Sequence, residues 1–189
     1  HFTQTGYEKN ISEYEDKSYL DRIETLNDKV YAITGANSGI GKEMALYLAK
    51  KQAVVFMICR SKERAEAARD DVIKQSGNEK VIFLQADVSL EEDVRRVVRE
   101  MASHPLCSST NSKNEPQLNG LICNAGALLH EFTPTKEGFE TTFAAHLLFG
   151  TYLLGDLCMP LLKSTKDSRC IIVSSGGMYN YALPSWEIL

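Results

Sequence analysis

The stretch Thr34-Gly35-Ala36-Asn37-Ser38-Gly39-Ile40-Gly41 constrains this chain more than any other. It follows a short apolar run, Val30 to Ile33, that reads as a buried strand, and it opens an amphipathic segment with Ile40, Met44, Ala45 and Leu48 on one face. The local reading is strand, glycine turn, helix. A helix N-terminus carries free N–H groups and partial positive charge, so a turn that lets bare backbone approach it makes a seat for a diphosphate. Gly35, Gly39 and Gly41 allow the tight turn, the approach of ligand oxygens and the close packing of helix on strand. The mononucleotide pattern G-x-x-x-x-G-K-[ST] fails twice: five residues separate Gly35 from Gly41-Lys42, and Glu43 follows. What remains is G-x-x-x-G-x-G after a strand, with a plain helix start as the alternative.

The same alternation recurs downstream. Ala53 to Cys59 is apolar without period, which suits a strand covered on both faces. It ends at Arg60-Ser61. Ser61 starts a helix with Ala65, Ala68, Val72 and Ile73 inside, stopped by Ser76-Gly77-Asn78. Val81 to Gln85 reads as the third strand, leading to Asp87-Val88. Ser89-x-x-Glu92 is a capping box before a helix whose core face is Val94, Val97, Val98 and Met101. His104 to Gln117 is polar and reads as a surface loop. Leu118 to Cys123 gives a fourth strand running into Asn124-Ala125-Gly126. Lys136 to Leu162 reads as one long helix with Phe139, Phe143, His146 or Leu147, Gly150 and Leu154 at helical spacing, and Cys170 to Val173 as a fifth strand delivering Ser174-Ser175-Gly176-Gly177. Five apolar strands alternating with helices predict an α/β fold, a Rossmann-type doubly wound parallel sheet of order 3-2-1-4-5. Every polar turn then falls at strand C-termini, where open α/β sheets bind ligands.

Chemistry attaches to those turns. After the second strand of a dinucleotide fold, a carboxylate accepts hydrogen bonds from a free ribose 2′-OH, whereas an arginine pairs with a 2′-phosphate. This chain has Arg60 there and no acid, so NADP(H) is favoured over NAD(H), with a solvated helix-start charge as the plainer alternative. Asp87 past the third strand suits either an adenine amino group or a helix cap. The small residues of Asn124-Ala125-Gly126 leave room for a flat ring or ribose, and Asn124 can bond backbone or ligand.

A chain of 189 residues suits one domain, here read as a polar arm over 1–26 and a dinucleotide-binding domain over 27–189. A net charge of −4 argues against a nucleic-acid surface, and no run of eighteen apolar residues offers a membrane span. Five cysteines, Cys59, Cys107, Cys123, Cys158 and Cys170, form no CxxC and no regular spacing. Cys59, Cys123 and Cys170 lie in apolar runs that favour reduced core thiols and a reducing intracellular, cytoplasmic setting. Peripheral membrane contact through the arm stays open. The chain starts at His1 rather than Met, so the absence of a targeting signal proves little.

Together Thr34 to Gly41, Arg60, Asp87-Val88, Asn124-Ala125-Gly126 and Val173-Ser174-Ser175 resemble the short-chain dehydrogenase/reductase family across Val30 to about Met178. The resemblance implies an NADP(H)-dependent oxidoreductase acting on a small carbonyl or alcohol. It implies coenzyme contacts from Gly35, Asn37, Ser38, Gly39, Ile40, Gly41, Arg60, Asp87, Val88, Asn124, Ala125 and Gly126. In the family a serine after this strand bonds the substrate oxygen; Ser175 matches best and Ser174 second, and a structural hydroxyl is the alternative. A tyrosine then exchanges a proton with that oxygen, its pKa lowered by a lysine four residues on. That Tyr-x-x-x-Lys pair is not found: Tyr179 and Tyr181 come too soon after Ser175, and Leu183 and Ser185 stand where each would need its lysine. The family's helix asparagine matches His146, which reads more readily as a core histidine, and Leu147-Leu148-Phe149-Gly150 carries one extra residue. The expectation is a C-terminally incomplete sheet with an uncovered fifth strand, in a polypeptide that binds coenzyme weakly and turns over little. The alternative is a non-catalytic NADP(H)-binding module that senses coenzyme or presents a surface to a partner.

Overall fold

The computed structural model describes residues 22–108 and 115–175. The elements run β1 (Val30–Thr34), α1 (Gly39–Lys50), β2 (Val54–Cys59), α2 (Lys62–Ser76), β3 (Val81–Gln85), α3 (Glu91–Ser103), α4 (Pro105–Ser108), β4 (Gly120–Cys123), α5 (Thr141–Ser164) and β5 (Arg169–Ile172). The strands form one parallel sheet in the order β3-β2-β1-β4-β5, as the alternation predicts. Thr25–Ile172 is one compact unit; residues 22–24 and 173–175 fall outside it.

Strand periodicity divides the core in two. Ile33, Val55 and Met57 face α1 and α2 with Ala45, Leu48, Ala49 and Val72, while Ala32, Phe56 and Ile58 face α3 and α5 with Val94, Val97, Met101 and Leu154. All six residues of β2 are buried, which is why its sequence lacks alternation. Strand β1, paired with β2 from Val30↔Val54 to Thr34↔Ile58 and with β4 through Ile33↔Ile122, sits where the winding direction reverses. The crevice between the β1 and β4 turns follows from that order.

Four local readings change. Ser89 and Glu92 form no capping box. Instead Ser89 N and Oγ donate to Asp87 Oδ1, and the first N–H groups of α3, Glu91 and Glu92, donate to the Glu137 carboxylate at 2.7 and 3.3 Å. A carboxylate brought in from a distant loop thus supplies the anion that a helix N-terminus attracts. Helix α5 begins at Thr141 rather than Lys136, because Gly138 takes a left-handed φ of 87° and Pro134 bridges Glu140 before Glu140 caps Thr142 and Phe143. Within His104 to Gln117, Pro105–Ser108 forms α4 with Cys107 buried; residues 109–114 lie outside the described residues. Ile40, read as part of the inner face of α1, is exposed, and the buried set is Gly41, Ala45, Leu46, Leu48 and Ala49.

Strand β5 is exposed at all four residues, as expected of an uncovered strand, and Cys170 within it is an exposed thiol rather than a core one. All five cysteines are free. Helix α5, at 24 residues and mean hydropathy 1.4, is long and apolar enough to cross a membrane even though the chain has no unbroken apolar run of that length. Ala144, Phe149, Leu154, Cys158 and Leu162 on it belong to the core, which makes it a core helix of this sheet.

Candidate functional site

The glycine turn meets the β4 turn through a small hydrogen-bond lattice. Thr34, buried at the end of β1, accepts the N–H groups of Asn124 and Ala125 on Oγ1, both at 2.9 Å. Asn124 Nδ2 donates back to the carbonyl oxygens of Thr34 at 3.0 Å and Gly35 at 3.4 Å. Two glycines permit this approach. Gly35 has φ of 67°, and a Cβ there would lie 2.9 Å from Ala125 Cα; a Cβ on Gly41 would lie 2.5 Å from both Asn124 Nδ2 and Gly35 O. Asn124 is therefore largely consumed by backbone. Lys42, the residue a P-loop would aim at phosphate, pairs with Asp71 of α2 at 2.5 Å.

Around that lattice opens a cleft of about 440 Å³. Its lining includes Gly35, Asn37, Ser38, Ile40, Gly41, Arg60, Asp87, Val88, Asn124, Ala125 and Gly126. Thus eleven of the twelve residues singled out as coenzyme contacts share one cleft. Gly39 is not in its lining; its φ of 52° instead opens α1. Ser38 is the N-cap of α1 in extended geometry, and its side chain makes no cap hydrogen bond. Ser174 and Ser175 are exposed and follow β5 outside the Thr25–Ile172 unit. Tyr179 and Tyr181 lie outside the described residues.

The charged end of the cleft is built by β2, α2 and β3. Arg60 follows β2, its side chain 64% exposed with Nη1 3.6 Å from Asp87 Oδ2. Asp87 Oδ1 accepts from Ser89 N and Oγ, which closes a turn ahead of α3 rather than capping the helix, and Asp87 lines the cleft. Sequence reasoning missed Arg64, one turn into α2 from Arg60 and lining the same cleft. The Arg-x-x-x-Arg spacing at a helix start was the available signal. Cys59, read from the sequence as a reduced core thiol, is buried and free and also lines the cleft; burial pushes its thiol up to about 11 against the opposing pull of the Ala36 and Asn37 N–H groups. The cleft wall beside the glycine turn accordingly carries a neutral thiol and no thiolate.

At the opposite side stand Ala127 and Ala145, also missed. His146 is exposed rather than a core histidine, and its Nε2 accepts the Ala127 N–H at 2.8 Å. Among the described residues no group of three or more His, Cys, Asp or Glu gathers as a metal site.

The family model for short chain dehydrogenase matches residues 29–185. The chain belongs to the short-chain dehydrogenase family. Curated relatives agree. The chain is 35% identical over 178 residues to dehydrogenase/reductase SDR family member 12 of Bos taurus, covering 94% of this chain and 51% of that protein. It is 33% identical over 150 residues to human retinol dehydrogenase 11, covering 79% of this chain and 44% of the relative. The chain thus spans about half the length of the curated relatives it matches. Among solved structures, a short chain dehydrogenase of Escherichia coli CFT073 complexed with NADPH has a TM-score of 0.62 at 24% identity, over 81% of this chain and 61% of that one. One from Shigella flexneri 2a complexed with NADP has a TM-score of 0.63 at 23% identity, over 86% and 65%. These structural likenesses establish the family fold.

Proposed function

We propose that the protein is an NADP(H)-dependent oxidoreductase that interconverts a small carbonyl compound and its alcohol. One observation carries this reading: a single cleft at the sheet's C-terminal edge gathers a glycine turn, a helix N-terminus and two arginines. The seat fits a dinucleotide. Gly35 and Gly41 stand where any Cβ would collide with the β4 turn, so the backbone comes close enough for phosphate oxygens to meet the start of α1. The cleft volume of about 440 Å³ lies in the range of small-molecule sites.

In this reading the Gly35–Gly41 turn and Ser38 hold the diphosphate, and Arg60 with Arg64 holds a ribose 2′-phosphate. Arg60 forfeits little by turning to that phosphate, because its present partner is an exposed ion pair. Asp87 and Val88 border the adenine, and Asn124–Ala127 border the nicotinamide half. When bound, the nicotinamide gives or takes the hydride. Ser175, or Ser174 beside it, donates a hydrogen bond to the substrate oxygen and so favours the charge that develops there. The NADPH and NADP complexes of the Escherichia and Shigella proteins support the phosphorylated coenzyme. The packing of α5 into the core supports a core role, not a membrane span, for the long apolar helix among the described residues, and the four buried free thiols support a reducing compartment.

Thermal unfolding with NADPH and with NADH tests the coenzyme. NADPH is expected to raise the melting point at concentrations where NADH does not, since only a ligand bound to the native state stabilises it. Equal effects, or none on a folded sample, overturn the preference or the site. NADPH consumption with a panel of aldehydes and ketones, against Ser175→Ala, tests the serine; activity that survives the substitution removes it from the reaction.

A further inference from the structure

The rear of the β4 turn has an anchor of its own. Asn124 and Ala125 are tied to β1 through Thr34, but the next residues leave the sheet, and Gly126 and Ala127 are exposed where they line the cleft. There the Ala127 N–H meets His146 Nε2 at 2.8 Å, and a Cβ on Gly126 would stand only 3.1 Å from the same nitrogen. To accept that bond Nε2 must be unprotonated, which puts the ring proton on Nδ1.

The helix carrying His146 is unusual at this place. Thr141–Phe143 and Leu154–Ser164 are α-helical, but Ala144–Leu153 winds as a π-helix. One surplus residue in an α-helix would rotate everything beyond it by about 100° and turn Leu154, Cys158 and Leu162 off the core. The wider turns absorb the surplus, so those three stay buried while His146 faces Ala127. Gly150 makes this possible, since a Cβ there would lie 1.9 Å from Ala145 O, and Thr151 Oγ1 fixes the His146 carbonyl at 2.6 Å.

We propose that His146 is a positioning residue: through Nε2 it holds the Gly126–Ala127 backbone at the width the nicotinamide half of the coenzyme requires. Its exposure leaves it little part in core packing, and its bond goes to the part of the β4 turn beyond Ala125, the last residue there that donates to Thr34. The inference rests on the coenzyme reading of the cleft. The adenosine half binds at the other side, past β2 and β3, and does not depend on His146.

Calorimetric titration of the chain with NADPH and with adenosine 2′,5′-bisphosphate separates the possibilities. His146→Ala is expected to weaken NADPH roughly five- to tenfold, the worth of one backbone hydrogen bond left unmade, and to leave the bisphosphate unchanged. His146→Gln, whose Oε1 reaches the position of Nε2, restores NADPH affinity; His146→Asn is too short and does not. Should the alanine variant fail to fold, the Gln and Asn pair carries the test, because the two differ chiefly in reach. Equal NADPH affinity in all variants, or parallel losses for both ligands, overturns the role of His146. Failure of the unsubstituted folded chain to bind NADPH overturns the coenzyme reading instead.

Discussion

Replacing Gly41 by alanine places a methyl group where the structure has no room, and its cost follows from the neighbours. The new Cβ would lie 2.5 Å from Gly35 O and 3.0 Å from Gly35 C, backbone atoms that cannot swing away, and 2.5 Å from Asn124 Nδ2. Helix α1 must therefore back off from the turn, or Asn124 must leave. Overpacking of this kind costs about 1–3 kcal/mol, and losing the Asn124 bonds to Thr34 O and Gly35 O adds about 1 kcal/mol, giving about 2–4 kcal/mol in all. Gly39→Ala is the control: φ is 52° but nothing lies within 4 Å of its Cβ position, so only left-handed backbone strain of about 1–2 kcal/mol applies. Urea unfolding of both variants gives the stabilities, and NADPH titration gives the site. Gly41→Ala should lose more stability and most of its NADPH affinity, whereas Gly39→Ala should keep a measurable site. Gly41→Ala as mild as Gly39→Ala with coenzyme binding intact would refute the close-packed turn.

Three further outcomes follow from contacts elsewhere. Glu137→Ala removes the carboxylate that caps α3 and should cost about 1 kcal/mol in urea unfolding, while Lys136→Ala, next to it and paired with exposed Glu92, should cost little. Cys59, with its thiol pushed up to about 11, should resist iodoacetamide at neutral pH in the folded chain while exposed Cys170 reacts, read by mass spectrometry of peptides. In acid, Asp71 is held down by Lys42 and Gln75, and Glu140 by the Phe143 and Thr142 N–H groups. Burial pushes Asp93 up, but the Asp87 N–H and Arg96 outweigh it and the net shift is downward. Carboxyls depressed in the native state stabilise it above their ordinary values of 3.8 to 4.5 and lose that contribution as pH falls through the lower native values. Urea midpoints should hold above pH 5 or so and drop below about pH 4, less steeply in Asp71→Asn.

Sheet order and most of the cleft were legible because strand burial and turn chemistry are local. An all-apolar Val54–Cys59 between two helices has few topologies open to it, and Gly35 and Gly41 announce a close approach whatever the partner. Long-range substitutions for local signals were not legible. Ser89-x-x-Glu92 is a sound capping box, yet Glu137, far along the chain, takes the Glu92 N–H that Ser89 would have capped, and Asp87 takes the Ser89 N–H. The start of α5 turned on Gly138 and the Pro134–Glu140 bridge, which interrupt a periodicity that Phe139 continues by spacing. The extra residue after His146 was visible in the sequence; that a π-helix would absorb it was not, since the deciding contact is Gly150 against its own backbone. Arg64 escaped because helix phase, rather than any motif, carries it to the cleft beside Arg60.

Calorimetric titration of the folded chain with NADPH, repeated with Arg60 and Arg64 both replaced by alanine, addresses the central claim most directly. The account predicts one NADPH per chain, weakened roughly tenfold or more by the double substitution through loss of charge-assisted hydrogen bonds, with NADH affinity unchanged. NADPH binding that ignores both arginines, or a well-folded chain that gives no heat with either coenzyme, would contradict it.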